Sequence, residues 1–183
     1  MNWAVKNMRA MRMFFYFRKN RLICGMIYNN DKKKGSRMDF IRKARPEDLA
    51  RIAEIQIFNF RLYFYPIFLD DGYYFGELQV PALMKHYEAL LDQIIVYDDG
   101  VVKGFAHIVG TELKKLYVEP ILHGSSIGAK LLEYAMTECG IDHLWALEQN
   151  HRAIAFYERH GFRLTGDRMP EDGTEKYIVL MKR

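Results

Sequence analysis

From Leu116 to Ala129 the chain passes from an apolar triplet, Leu116-Tyr117-Val118, through Glu119-Pro120-Ile121-Leu122-His123-Gly124-Ser125-Ser126-Ile127-Gly128-Ala129 and straight into a stretch of helical periodicity. A strand that feeds a helix through a turn of small residues presents unpaired first-turn N–H groups at the positive end of the helix dipole. The lack of bulk lets a group as large as a pyrophosphate come close. An ordinary Gly/Ser strand-to-helix turn has the same composition, so the junction alone defines an anion-competent turn and leaves the ligand open.

A second run of chemistry-bearing residues is Asn150-His151-Arg152-Ala153-Ile154-Ala155-Phe156-Tyr157-Glu158-Arg159-His160-Gly161-Phe162. Asn150 stands where a helix N-cap belongs, Gly161 where a helix stops, and Tyr157 is a phenol on the helix between them. Glu112 and His107 are strand residues able to move a proton. An edge-strand surface carboxylate and a packed strand histidine are the more ordinary roles for these two, and His107 is not taken as the base.

The elements that must hold these residues follow from periodicity. A strand is expected from Asp39 to Ala44, then a helix opened by Pro46, Glu47 and Asp48 with Leu49, Ile52 and Ala53 on its apolar face. Phe58 to Phe75, dense in aromatics, reads as a loop. A helix over Val80 to Asp92 and a hairpin, Ile94–Tyr97 with Val101–Val109 around Asp98-Asp99-Gly100, come next. Strand Glu112–Val118, helix Ile127–Cys139, strand His143–Leu147, helix Asn150–His160 and a hairpin over Phe162–Met181 around Glu171-Asp172-Gly173 complete the order. The class is α/β in the mixed α+β sense: a mainly antiparallel sheet flanked by helices.

The two motifs and this order together resemble the GNAT superfamily of acyl-CoA-dependent N-acyltransferases over residues 39–183, within a domain expected at 38–183. The resemblance implies the GNAT fold, with acetyl-CoA as co-substrate, no metal, and direct attack of an amine on the thioester. It implies a pyrophosphate loop at His123, Gly124, Ser125, Ser126, Ile127, Gly128 and Ala129, where the family's usual Gln/Arg-x-x-Gly-x-Gly/Ala reads His123, Ser126 and Gly128. Ser126 costs roughly 1 to 2 kcal/mol if a left-handed conformation is needed there. The pantetheine arm would pair with Leu116, Tyr117 and Val118, with an N–H near a Tyr117/Val118 bulge supporting the thioester oxygen. Acetyl-CoA is expected between the strands ending at Val118 and Leu147. Asn150, Ala153 and Phe156 would contact the cofactor, and Tyr157 would face its sulfur as acid. A phenol near 10 protonating a thiolate near 8.5 is uphill by about 2 kcal/mol, so a hydrogen bond to the forming thiolate is its expected main contribution. Glu112 is the base expected for a lysine-like amine, whose deprotonation at neutrality costs roughly 4.6 kcal/mol. Tyr63, Phe64, Asp70 and Tyr74 would shape the acceptor pocket. A non-catalytic acyl-CoA-binding regulatory module of the same fold is the alternative.

Charge narrows the partners. Residues 1–37 hold ten basic side chains and one acid, leaving 17 basic and 22 acidic to the rest. A net-acidic body is a poor footprint for nucleic acid, so the acceptor expected is a small-molecule or peptide amine. The 1–37 stretch reads as a basic leader, disordered or ahead of a true start at Met38. Cys24 and Cys139 sit in no metal or disulfide spacing, which points to a reducing cytoplasm. Arg18, Lys19 and Arg21 interrupt the longest apolar run, so no membrane partner is expected. A homodimer is compatible with the sequence.

Overall fold

The computed structural model describes residues 40–183, so the basic leader and Asp39 lie outside the described residues. The described chain falls into two compact units, residues 40–141 and Asp142–Arg183. In both, neighbouring strands run antiparallel with helices beside them, the mixed α/β class that periodicity implies.

The larger unit runs β1 (Ile41–Lys43), α1 (Leu49–Asn59), a π-helical turn (Phe60–Phe64), α2 (Tyr65–Phe68), a second π-helical turn (Gly72–Glu77) and α3 (Val80–Glu88). Then come β2 (Ile94–Asp98), β3 (Val102–Val109), β4 (Glu112–Val118), a 3-10 turn (Pro120–Leu122) and α4 (Ile127–Glu138). The strands are ordered β1-β2-β3-β4. Arg42 fixes the entry to α1: its guanidinium meets Asp48 at 2.7 and 2.9 Å and Asp98 at 2.7 Å. Hydrogen bonds from Arg42 and the Arg45 N–H hold the Asp48 carboxyl below its usual range despite the opposing effect of burial.

Alternation divides the strands between two helical layers. Ile94, Val96 and Phe105 pack with Leu49, Ile52 and Ile55 of α1 and Tyr87 of α3. His107 lies opposite Lys115, and Phe105 opposite Tyr117. On the other face α4 comes so close to β3 that a Cβ at Gly104 would stand 3.1 Å from Leu131 and 3.0 Å from the Tyr117 carbonyl. Glycine is what that approach requires. Registry is unbroken from Lys115 to Val118, and the irregularity falls at Lys114, between the His107–Lys115 and Ile108–Leu113 pairs. The bulge expected at Tyr117/Val118 is therefore displaced toward the start of β4.

Phe58 to Phe75, expected as a loop, is helical over most of its length. The Tyr65 N–H reaches back five residues to Phe60 and the Leu78 N–H to Tyr73. Five-residue turns take the aromatics out of the 3.6-residue period by which a helix is recognised, and Pro66, which lacks an N–H, sits where the π-helical turn passes into α2. The expected Val80–Asp92 helix stops at Glu88, its last residues forming a 3-10 turn, Leu91–Gln93.

The smaller unit comprises β5 (His143–Leu147), α5 (His151–Arg159), β6 (Arg163–Pro170) and β7 (Tyr177–Lys182), in the order β5-β7-β6. Asn150 opens α5, its carboxamide oxygen accepting from the Ala153 N–H at 3.1 Å. The Phe162 side chain that follows the helix is fully buried. Among the described residues no helix is long and apolar enough to cross a membrane.

Candidate active site

The junction between β4 and α4 has the geometry that its small residues suggest. Gly124 has φ +92° and Ser126 φ +66°, so the chain turns left-handed twice before the helix starts. The condition set for Ser126 is met, and a non-glycine residue holds that conformation at a cost of about 1 to 2 kcal/mol. The helical ladder opens with the Lys130 N–H donating to the Ser126 carbonyl at 3.0 Å. The amides of Ile127, Gly128 and Ala129 lie ahead of that first bond and point out of the helix end. Gly124, Ser125 and Ser126 are exposed, and the Ser125 hydroxyl folds back onto the Leu122 carbonyl at 2.6 Å. The cradle is thus made of main chain, with charge complementarity from the dipole of a twelve-residue helix, and it fits a diphosphate.

His123, expected among the cofactor contacts, faces inward. Its Nε2–H donates to the Val118 carbonyl at 3.1 Å. Its Nδ1 meets the Tyr63 hydroxyl at 2.9 Å, and the two rings stack with centroids 5.4 Å apart. The Val118 carbonyl also accepts from the Asn59 carboxamide at 2.9 Å. Cofactor candidate and acceptor candidate, His123 and Tyr63, therefore touch each other.

The remaining acceptor candidates have different surroundings. Phe64 packs edge-on to Tyr117 with centroids 6.5 Å apart. Tyr74 is buried against Phe60 and Tyr65. Asp70 is exposed and caps its own turn, accepting from the Tyr73 N–H at 2.9 Å. Outside this aromatic layer a groove of about 540 Å³ is lined by Phe58, Arg61, Leu62, Glu119, Pro120 and Ile121. Glu112 pairs with Lys114 at 2.6 Å.

One cluster was not anticipated. Lys115 is 5 % exposed, and its ammonium donates to the Tyr87 hydroxyl at 3.0 Å. That hydroxyl donates in turn to Gln56. Burial lowers Lys115 to about 7. Burial, followed by the Lys115 charge, lowers His107 to about 3 and His86 to about 4. His107 is thereby a neutral imidazole, donating to Gln93 at 3.0 Å, and a poor base at neutral pH. No strand alternation points to it, because the irregularity at Lys114 interrupts the period along β4.

Asn150, Ala153, Phe156 and Tyr157 belong to the smaller unit. The Tyr157 ring packs between Phe156 and Phe162, at 5.3 and 6.0 Å, and burial pushes its phenol well above 10. It is accordingly a fully protonated donor throughout the physiological range. Among the described residues no group of three or more His, Cys, Asp or Glu side chains could hold a metal ion.

Antiparallel strands flanked by helices, with a left-handed, small-residue turn opening the helix after β4, make a mixed α/β fold. The family model described as "Acetyltransferase (GNAT) domain" matches residues 90–164. The chain is 31% identical over 87 residues to the peptidyl-lysine N-acetyltransferase YjaB of Salmonella typhimurium, a match covering 48% of this chain and 60% of that protein. Its fold is similar to that of apo YjaB from Escherichia coli, with a TM-score of 0.61, 21% identity and coverage of 78% of this chain and 95% of that one. It is likewise similar to yncA from Salmonella typhimurium, solved with its cofactor acetyl-CoA, with a TM-score of 0.58, 23% identity and coverage of 78% and 91%.

Proposed function

We propose that the chain transfers an acetyl group from acetyl-CoA to a primary amine of a small molecule or peptide by direct attack. The observation that carries this reading is the left-handed Ser126 that opens α4, a strained backbone turn whose use is to gather outward amides. The amides of Ile127, Gly128 and Ala129, with that of Gly124, would hold the diphosphate, while Ser125 shapes the turn, its N–H donating to the Leu122 carbonyl at 3.1 Å. Leu116, Tyr117 and Val118 would pair with the pantetheine arm, and Asn150, Ala153 and Phe156 would add contacts. When bound, the cofactor supplies an activated acyl group and a thiolate leaving group. Tyr157, kept protonated by burial, would donate a hydrogen bond to that thiolate. Glu112 remains the proposed route for the amine proton, with its pairing to Lys114 exchanged for a water.

A peptide lysine is the acceptor favoured within this class, because the curated relative is named a peptidyl-lysine N-acetyltransferase. Free-thiol release from acetyl-CoA, screened against lysine peptides, polyamines and amino acids, tests the proposal. Turnover is expected with at least one amine class. Tyr157→Phe should reduce kcat about tenfold or more, with acetyl-CoA affinity within a few-fold of wild type. Tight acetyl-CoA binding without thiol release for any amine would favour the non-catalytic acyl-CoA-binding module instead.

A further inference from the structure

The peptide group joining Val118 to Glu119 is held from both sides. Its N–H, on Glu119, donates to the Lys103 carbonyl of β3 at 2.8 Å. Its carbonyl oxygen, on Val118, accepts from Asn59 Nδ2 at 2.9 Å and from His123 Nε2 at 3.1 Å. A carbonyl oxygen has two lone pairs, so these two donors saturate it. Asn59 is buried at the end of α1, where its amide also donates to the Ile55 carbonyl at 2.8 Å. His123 closes the far side of the turn. Because Nε2 must carry the hydrogen that Val118 accepts, the neutral ring offers Nδ1 as the acceptor for the Tyr63 hydroxyl at 2.9 Å, and the ring planes, 21° apart, stack. Tyr63 lies in the aromatic segment, and His123 is the first residue of the anion loop.

We infer that Asn59, Tyr63 and His123 form a latch that fixes the exit of β4 and thereby sets the amide cradle of residues 124–129. Tyr63 and His123 are positioning residues for the cofactor: His123 acts as a strut bridging strand end and aromatic segment, not as a phosphate-binding cation. The inference rests on the assignment of the loop to acetyl-CoA in the proposed function, and it deepens that assignment. It makes acetyl-CoA affinity depend on a tyrosine of the acceptor-side segment that need not touch the cofactor. It also accounts for a histidine where the family pattern has a longer Gln or Arg: the imidazole places donor and acceptor nitrogens on opposite edges of one rigid ring, as a two-sided bridge requires.

The test uses the full chain as wild type, Tyr63→Phe, His123→Ala, His123→Gln and the Tyr63→Phe/His123→Ala double variant. Acetyl-CoA affinity is read by calorimetry, and amide hydrogen exchange over residues 119–126 is read without ligand. Tyr63→Phe and His123→Ala are each expected to weaken acetyl-CoA about three- to tenfold and to speed loop exchange by a similar factor. The double variant should be no weaker than His123→Ala, since the two residues act through one bridge. His123→Gln, which restores a donor to the Val118 carbonyl, should recover part of the exchange protection. Wild-type affinity and wild-type loop exchange in Tyr63→Phe, or additive losses in the double variant, would overturn the latch. If the wild type fails to bind acetyl-CoA, the functional reading falls, while loop exchange in Tyr63→Phe still decides the latch.

Discussion

The loop from Glu119 to Ala129 and the segment from Phe58 to Glu77 lie in the same unit and contrast in construction. Beyond the side-chain latch at His123, the loop presents main chain: two left-handed residues, a helix end, and, from Gly124 to Gly128, few bulky side chains on the exposed side. The segment is shaped by side chains: Phe60, Phe64, Tyr65, Tyr73, Tyr74 and Phe75 contact one another ring to ring, and Arg61 reaches the Tyr74 carbonyl at 3.0 Å. A main-chain site suits a ligand that never varies, because backbone donors survive substitution of the residues that carry them. A side-chain site is rebuilt whenever its residues change, which suits the partner that differs from one enzyme to the next.

The sharpest way to break this contrast is to block the main chain. Gly128→Asp places bulk and negative charge against the proposed phosphate position and should weaken acetyl-CoA binding by about a hundredfold or more, measured by calorimetry. Removing the Ser125 hydroxyl, which bonds its own turn, should leave affinity within about twofold. A large loss at Ser125 with none at Gly128 would reverse the assignment of roles.

Beside both regions, the buried Lys115 of β4 carries a pH signature. Its native pKa, near 7, lies well below the 10.5 of an exposed lysine, because burial penalises the charged form. Between those values the unfolded chain binds the extra proton, so this residue makes stability rise with pH from about 7 toward 10.5. Its full penalty is present below about 7. Lys115→Met should therefore raise stability on the order of a few kcal/mol at pH 6, with the advantage shrinking by pH 10, as read by denaturant titration at both pH values. An advantage independent of pH would show that Lys115 is not carried as a suppressed base.

A smaller effect is expected at Ser126. Ser126→Gly removes the penalty of a left-handed non-glycine residue, offset in part by the freedom glycine gains on unfolding. It should stabilise the chain by about 0.5 to 1 kcal/mol without weakening acetyl-CoA. Destabilisation would mean that the serine side chain contributes more than the strain it brings.

How far these regions were legible follows from the same contrast. β4 starts at Glu112 and ends at Val118, and α4 starts at Ile127, as strand alternation and helical spacing require. Gly124, Ser126 and Gly128 mark the turn because their smallness is itself the signal. The aromatic segment escaped as a helix because hydrogen bonds spanning five residues spoil the period, and no short spacing announces a π-helical turn. His123 was legible as a loop residue but not as a strut. Its partners, Tyr63 and Asn59, lie about sixty residues away, and nothing local to the turn names them. Lys115 was hidden by the bulge at Lys114, which alters the alternation along β4.

The central claim is that backbone amides at the start of α4 bind the diphosphate of acetyl-CoA. The most direct measurement is an amide NMR titration of the full chain with coenzyme A. The account predicts the largest shifts at Gly124, Ser126, Ile127, Gly128 and Ala129, saturating together. Amides that stay unmoved at saturating coenzyme A, or shifts confined to the aromatic segment, would contradict it.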